Sequence, residues 1–199
     1  MSSVNTVATI APESLARLSV EQYHAMIRSG ILTDDDAIKL IEGWLILKMA
    51  KNPAHRATTR LVRTALEAIV PVGWYVDSQE PITLSNSEPE PDVVIVRGET
   101  RQYLDRHPGA AEIVIVIEVS DTTLQRDRQI KKRIYAQAKI PICWIINLVE
   151  SQSEVYAQPA EEEDDCDYRQ RQDYERSDRI PLEIEGVEIG SISVASLLP

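Results

Sequence analysis

The chain has 199 residues, 43% of them hydrophobic, with 21 Lys and Arg against 32 Asp and Glu and a formal net charge of −11. This size suits one domain with a sizeable core, and no apolar run approaches the roughly 18–20 residues of a bilayer span, which excludes a transmembrane helix. The amino terminus lacks the charged and compact apolar regions of a secretion signal. Cys143 and Cys166 make neither a metal-ligand spacing nor a disulfide framework, so the expected setting is the reducing cytoplasm, with no membrane partner.

The acidity is unevenly spread. Residues 1–150 hold 17 Lys and Arg against 19 Asp and Glu, whereas residues 151–199 hold 4 against 13, centred on EEEDDCD at 161–167. That run reads as a solvated loop or hairpin tip. The nearly neutral first part leaves room for a basic patch facing a polyanion such as DNA.

In chain order, residues 1–18 are expected to be a flexible segment ahead of a single domain over 19–199. SVEQYHAMIRSG (19–30) reads as a short helix, with Ser19 as cap, Gln22 completing a capping box and Gly30 ending it. AIKLIEGWLILKM (37–49) fits either a helix from an Asp-rich cap or two strands turning at Glu42–Gly43, and the strands are preferred because glycine is unfavourable inside a helix. PAHRATTRLVRTALEAIV (53–70) is a helix with Pro53 in its first turn. GWYVDSQ, PITL and PDVVIVR read as successive strands, split by Pro81 and a turn over 85–91. EIVIVIEVS is aliphatic on both faces, as a central strand is. A helix over 123–139, the strand PICWIINL and the strand SEVYA follow. The strand at 112–119, this helix and the strand at 142–148 form a parallel crossover unit. After the acidic run come strands at about 168–174 and 181–189 and a terminal helical turn, SVASLL. The fold class is α/β with a mixed sheet.

Two acids stand at strand ends. Asp92 opens PDVVIVR after a proline that fixes the backbone. Glu118 closes the aliphatic strand, where a buried acid must be paired or liganded. If these strands are neighbours, the two carboxylates meet at one sheet edge and suit a hard divalent cation, with the main-chain carbonyl of Val119 completing the oxygen shell. Such a cation polarises a phosphoryl oxygen and acidifies a bound water. A further positive group is then needed at the transition state. Lys131 fits this role, because Asp127, Lys131 and Tyr135 form one helix stripe at i, i+4, i+8. Arg56, Arg60 and Arg63 form another stripe that either faces solvent or touches phosphates, and Arg128 is a further phosphate candidate. Blander readings stand beside these. Asp92 is also ordinary turn chemistry, Lys131 a partner for Asp127, Glu42 a hairpin-turn residue, and His55 a helix N-terminal residue bonded to Glu42. Trp44, Trp74 and Trp144 read as core.

The order PD, strand, Glu-Val-Ser resembles the PD-(D/E)XK nuclease superfamily. There the lysine sits two residues after the second acid. Here that position is Ser120, and a lysine displaced onto the following helix is a variant of the motif. The longer pattern resembles the Uma-type family of restriction-endonuclease-like proteins over about residues 19–195. It is carried by IEG, the His after NPA, EPEPD, IEVS, the D-x-x-x-K-x-x-x-Y spacing and IPICWIINLVESQSEVY. The resemblance implies a restriction-endonuclease-like core, with a mixed central sheet flanked by helices and extra β-strands towards both ends. It also implies a Mg²⁺- or Mn²⁺-dependent endonuclease hydrolysing DNA phosphodiester bonds, working as a homodimer through its C-terminal strands or the hairpin near Glu42. Asp92, Glu118 and Lys131 become the catalytic set, with Asp92, Glu118 and the Val119 carbonyl on the metal. Glu42, His55, Ser120, Asp127 and Tyr135 become supporting residues. The alternative is a nuclease-like fold without activity, serving as a binding or structural module.

Overall fold

The computed structural model describes residues 15–33, 35–160 and 166–199. Most of the expected flexible segment (1–14) and most of the acidic run (161–165) lie outside the described residues. Residues 15–18 pack down: Leu18 N donates to Gly43 O at 2.9 Å, and the Arg17 guanidinium lies over the Trp44 ring.

A six-stranded sheet runs through the molecule in the order β3 (Trp74–Asp77), β4 (Val93–Arg97), β5 (Ile113–Ser120), β6 (Ile142–Asn147), β7 (Gln152–Pro159) and β8 (Tyr168–Tyr174). Only β5 and β6 are parallel, so the sheet is mixed. Every residue of β5 is buried. Its run of β-branched side chains suits a pleated strand covered on both faces. Ile115, Ile117 and Val119 join one core with α2 (Pro53–Glu67), with β9 (Arg179–Ile184) and β10 (Val187–Ser193), and with the terminal turn Val194–Leu197. Val116 joins the other core, beneath the helical segment over 124–137. The alternation therefore turns Glu118 and Ser120 towards that helix.

The amino-terminal part is as expected. The Ser19–Gln22 capping box opens α1 (Val20–Arg28), and β1 (Ile38–Ile41) pairs with β2 (Trp44–Leu47) across Glu42–Gly43. Both turn residues have positive φ, 49° and 81°, as a two-residue hairpin turn requires.

Four expectations need correction. PITL forms no strand; it makes one isolated bridge, Thr83 to Gly109, and irregular bonds to the carbonyls of Ser87, Pro89 and Pro108, because Pro81, Pro89 and Pro91 bring no N–H to a ladder. α2 stops at Glu67, before Pro71 bars helical backbone at Val70. The strand expected over 181–189 is a hairpin, β9 and β10, turned at Glu185–Gly186 with φ of 52° and 77°. The helix expected over 123–139 spans 124–137, with a π-helical turn at Asp127–Lys131 in its middle. Of the tryptophans only Trp144 is fully buried; Trp44 and Trp74 are half-buried under Arg17 and Arg97.

Candidate active site

Asp92 immediately precedes β4, and Val93 and Val94 pair with Ile117 and Val116. Continued by one residue, that register sets Asp92 opposite Glu118 on the helix-facing side of the sheet. Opposed side chains there have Cβ atoms about 4.5–5.5 Å apart. Asp92 Oδ2 accepts a hydrogen bond from Val119 N at 2.9 Å, which locks the two strand ends together. Both acids are buried, at 4% and 3% exposure.

Each has cationic or hydroxyl partners. Asp92 meets Lys51 Nζ at 3.0 Å through Oδ1 and His55 Nε2 at 3.1 Å through Oδ2. His55 lies in the first turn of α2, whose N-cap Asn52 accepts from its backbone N–H. Thr59 Oγ lies 3.4 Å from its other ring nitrogen. An anion at Asp92 also benefits from the positive end of that helix. Glu118 Oε1 takes both Lys131 Nζ, at 2.5 Å, and the Tyr135 hydroxyl, at 2.5 Å. The two carboxyl groups are driven apart in acidity. Burial pushes Asp92 up, but the His55 hydrogen bond and the Lys51 charge outweigh it and hold its pKa well below the usual range. Burial pushes Glu118 up; Lys131 opposes this, yet with Asp92 and Asp127 nearby its pKa stays above the ordinary value. Burial lowers Lys131, but the Glu118 and Asp127 charges raise it more, so it stays protonated.

The π turn lies within this arrangement. Asp127, Lys131 and Tyr135 are all buried on the sheet side of the helix. Asp127 Oδ2 accepts from Ser120 Oγ at 2.8 Å and Thr123 Oγ at 2.6 Å, so Ser120 fastens the helix start to the strand end.

The site opens into a cavity of ≈ 290 Å³ lined by Asp92, Glu118, Val119, Lys51, His55 and Lys131, among others. Ser120 sends its carbonyl to β6, accepting from Leu148 N at 2.9 Å. Its neighbour Val119 therefore points its carbonyl the opposite way, past the start of β4 and towards Asp92. Two carboxylates and this carbonyl form a hard oxygen set that suits Mg²⁺, which is ordinarily held by one or two carboxylates with water and phosphate oxygens. Among the described residues no group of three or more His, Cys, Asp or Glu side chains gathers as a metal cluster.

Other expected residues lie elsewhere. Glu42 is bonded to Arg133 at 2.7 Å, away from His55, because the hairpin turn carries it towards the helix. Arg56, Arg60 and Arg63 are exposed and do not line the cavity, and Arg63 is bound to Glu67. Arg128 is bound to carboxylates: it grips the fully buried Glu154 and also Glu150 at 2.9 Å. Sequence reasoning missed Lys51, Lys39 and Arg126, which also line the cavity. Lys51 carried a signal in its place beside the helix cap at Asn52, and Arg126 in the basic cluster that follows β5.

A crystal structure of a "putative nuclease belonging to DUF820" from Anabaena variabilis ATCC 29413 superposes with a TM-score of 0.65 at 14% identity, over 90% of this chain and 97% of that one. It shares the fold. Comparison with curated protein sequences gives no match. No helix among the described residues is long and apolar enough to cross a membrane. The profile of the Uma2 family, described as "Putative restriction endonuclease", matches residues 20–194, and the chain belongs to that family.

Proposed function

We propose that the protein is a divalent-cation-dependent endonuclease acting on DNA phosphodiester bonds. The observation that carries this reading is the pair of buried carboxylates, Asp92 and Glu118, facing each other across adjacent strands with a buried lysine on one of them. The family description, a restriction endonuclease, supports DNA as the substrate, and the structural neighbour is itself described as a nuclease. Asp92, Glu118 and the Val119 carbonyl would hold Mg²⁺ or Mn²⁺, which when bound supplies Lewis acidity and a more acidic water. Lys131 brings a fixed positive charge to the cavity wall, where negative charge grows on the phosphate in the transition state. Tyr135 fixes the Glu118 carboxylate, and His55, steadied by Thr59, fixes Asp92. A homodimer is part of the reading, since cutting a duplex takes one centre per strand. The exposed Leu45, Leu47 and Met49 of the hairpin region support it as the interface.

The second reading, a nuclease-like fold without activity, is favoured by one observation: Lys51, His55, Lys131 and Tyr135 already occupy the carboxylates. Nicking of supercoiled plasmid with Mg²⁺ or Mn²⁺ decides between them. The expected outcome is cleavage by wild type and none by Asp92→Ala, with calorimetric Mn²⁺ binding lost in Asp92→Ala and Glu118→Gln. A wild type that binds Mn²⁺ and never cuts any duplex or single strand supports the second reading.

A further inference from the structure

Two cations of the cavity have no counter-charge within hydrogen-bond distance. Lys39, on β1, is only 8% exposed, yet its side chain makes no hydrogen bond or ion pair among the described residues. Arg126 has a buried Nε with no hydrogen-bond partner and only a long ion pair, 4.0 Å from Asp127 Oδ1. The other lysines of the cavity are all paired: Lys48 with Glu90, Lys51 with Asp92 and Lys131 with Glu118. Lys39 and Arg126 both stand at the seam between the carboxylate cavity and an adjoining groove of ≈ 130 Å³ walled by Ile41, Trp44, Ile46 and Ile130.

Burying most of a lysine side chain without a partner is costly, and the like charges of Lys131 and Arg126 add to this. Burial, then the charge of Lys131, pushes the Lys39 pKa down to about 8; Arg126 acts the same way, and the Glu118 and Glu90 charges oppose the shift without outweighing it. An anion seated between Lys39 and Arg126 removes both penalties. A phosphate suits them well, because the guanidinium edge offers directional donors and the ammonium a compact charge.

We propose that Lys39 and Arg126 form a second phosphate subsite beside the Asp92–Glu118 centre, one that holds a phosphodiester of the substrate strand next to the one that reacts. This rests on the nuclease reading, and its test separates the two. Calorimetric titration of inorganic phosphate into the metal-free protein in EDTA reads the subsite alone. Wild type and Lys39→Arg are expected to bind. Lys39→Met and Arg126→Gln should each weaken binding roughly tenfold or more, as expected for losing one hydrogen bond to a charged group. Asp92→Asn should bind at least as tightly as wild type. Circular dichroism melting checks that each variant is folded, and Lys39→Arg keeps the comparison open should Lys39→Met unfold. With Ca²⁺ and a fluorescein-labelled duplex, Lys39→Met should also lower the salt dependence of binding by about one phosphate contact. Phosphate bound equally well by Lys39→Met and Arg126→Gln, or not bound by wild type, overturns the subsite. Phosphate binding that depends on Lys39, together with plasmid left uncut in Mg²⁺, overturns the nuclease reading instead.

Discussion

Lys131 and Glu118 are a buried ion pair before they are anything else, and this shapes how variants will behave. Removing one partner of such a pair leaves an uncompensated charge and costs about 3–5 kcal/mol. Lys131→Met is therefore expected to lower the melting temperature as well as abolish cleavage. If Asp92 and Glu118 bind a cation, millimolar Mg²⁺ should recover much of the lost stability without recovering activity; thermal melts with and without Mg²⁺ check this. Lys132→Ala should matter far less, because Lys132 points to Asp167 and the Tyr156 ring, away from the carboxylates. Lys39 gives a pH signature. The groups around its cavity are Lys48 from the hairpin end, Lys51, His55 from α2, Glu90 and Asp92 before β4, Glu118 from β5, Asp121 just after it, and Arg126, Asp127 and Lys131 from the helix. Because its pKa is lowered from 10.5 to about 8, the unfolded chain holds more protons between those values, and stability from this group rises with pH there. Phosphate favours the protonated lysine, so phosphate affinity should fall as pH rises above about 8. Binding there should take up a proton, read as a buffer-dependent calorimetric heat. A pH-independent affinity that also survives Lys39→Met would contradict this.

At the scale of elements, two Glu-Gly turns of similar backbone allow a controlled comparison. Gly43 and Gly186 have φ of 81° and 77°. A Cβ at Gly186 meets nothing within 4 Å, whereas one at Gly43 would lie 2.6 Å from Arg17 Cβ and 3.0 Å from Leu18 O. Gly186→Ala should cost only the left-handed strain of about 1–2 kcal/mol. Gly43→Ala should cost more, because the backbone at 17–18 must move; chemical denaturation measures both. The crossover from β5 to β6 is held at its far side by Arg128 on Glu154, a carboxylate that also receives Asn147 Nδ2 at 2.9 Å and the Tyr156 hydroxyl at 2.6 Å. Burial pushes Glu154 up, but the bonds from Arg128, Tyr156 and Asn147 outweigh this and lower its pKa. Its contribution to stability is thus present above the ordinary carboxylate range and lost as pH falls through the depressed value. Arg128→Met should destabilise the fold by about 3–5 kcal/mol while leaving phosphate binding intact. Duplex binding lost from a fully folded Arg128→Met would return this residue to the DNA interface.

For the whole molecule, a net charge of −11 means that general electrostatic attraction does not drive duplex binding. Affinity should rest on the cavity cations and on bound divalent ions, so anisotropy titrations should show much tighter duplex binding in Ca²⁺ than in EDTA. Light scattering at micromolar concentration is expected to give twice the chain mass of 22.4 kDa. Leu47→Glu, at the most exposed position of the hairpin strands, should yield the monomer if that patch is the interface. A wild-type monomer would count against the dimer.

Much of the fold was legible in the residues because it follows local rules. The β-branched run of β5, the Ser19–Gln22 box and the Glu42–Gly43 turn each specify their geometry within a few positions. The same holds for the order of acids and lysine along the chain. What the sequence could not determine is who pairs with whom. His55 meets Asp92 and not Glu42, Arg128 grips Glu154, and Lys39, an ordinary lysine in a polar-apolar alternation, becomes a largely buried residue whose side chain has no ion-pair partner among the described residues. These outcomes depend on strand register and on the helix lying across the sheet. Both are set by burial of side chains far apart in the chain, because the free energy of a charge depends on what surrounds it and not on its neighbours in sequence.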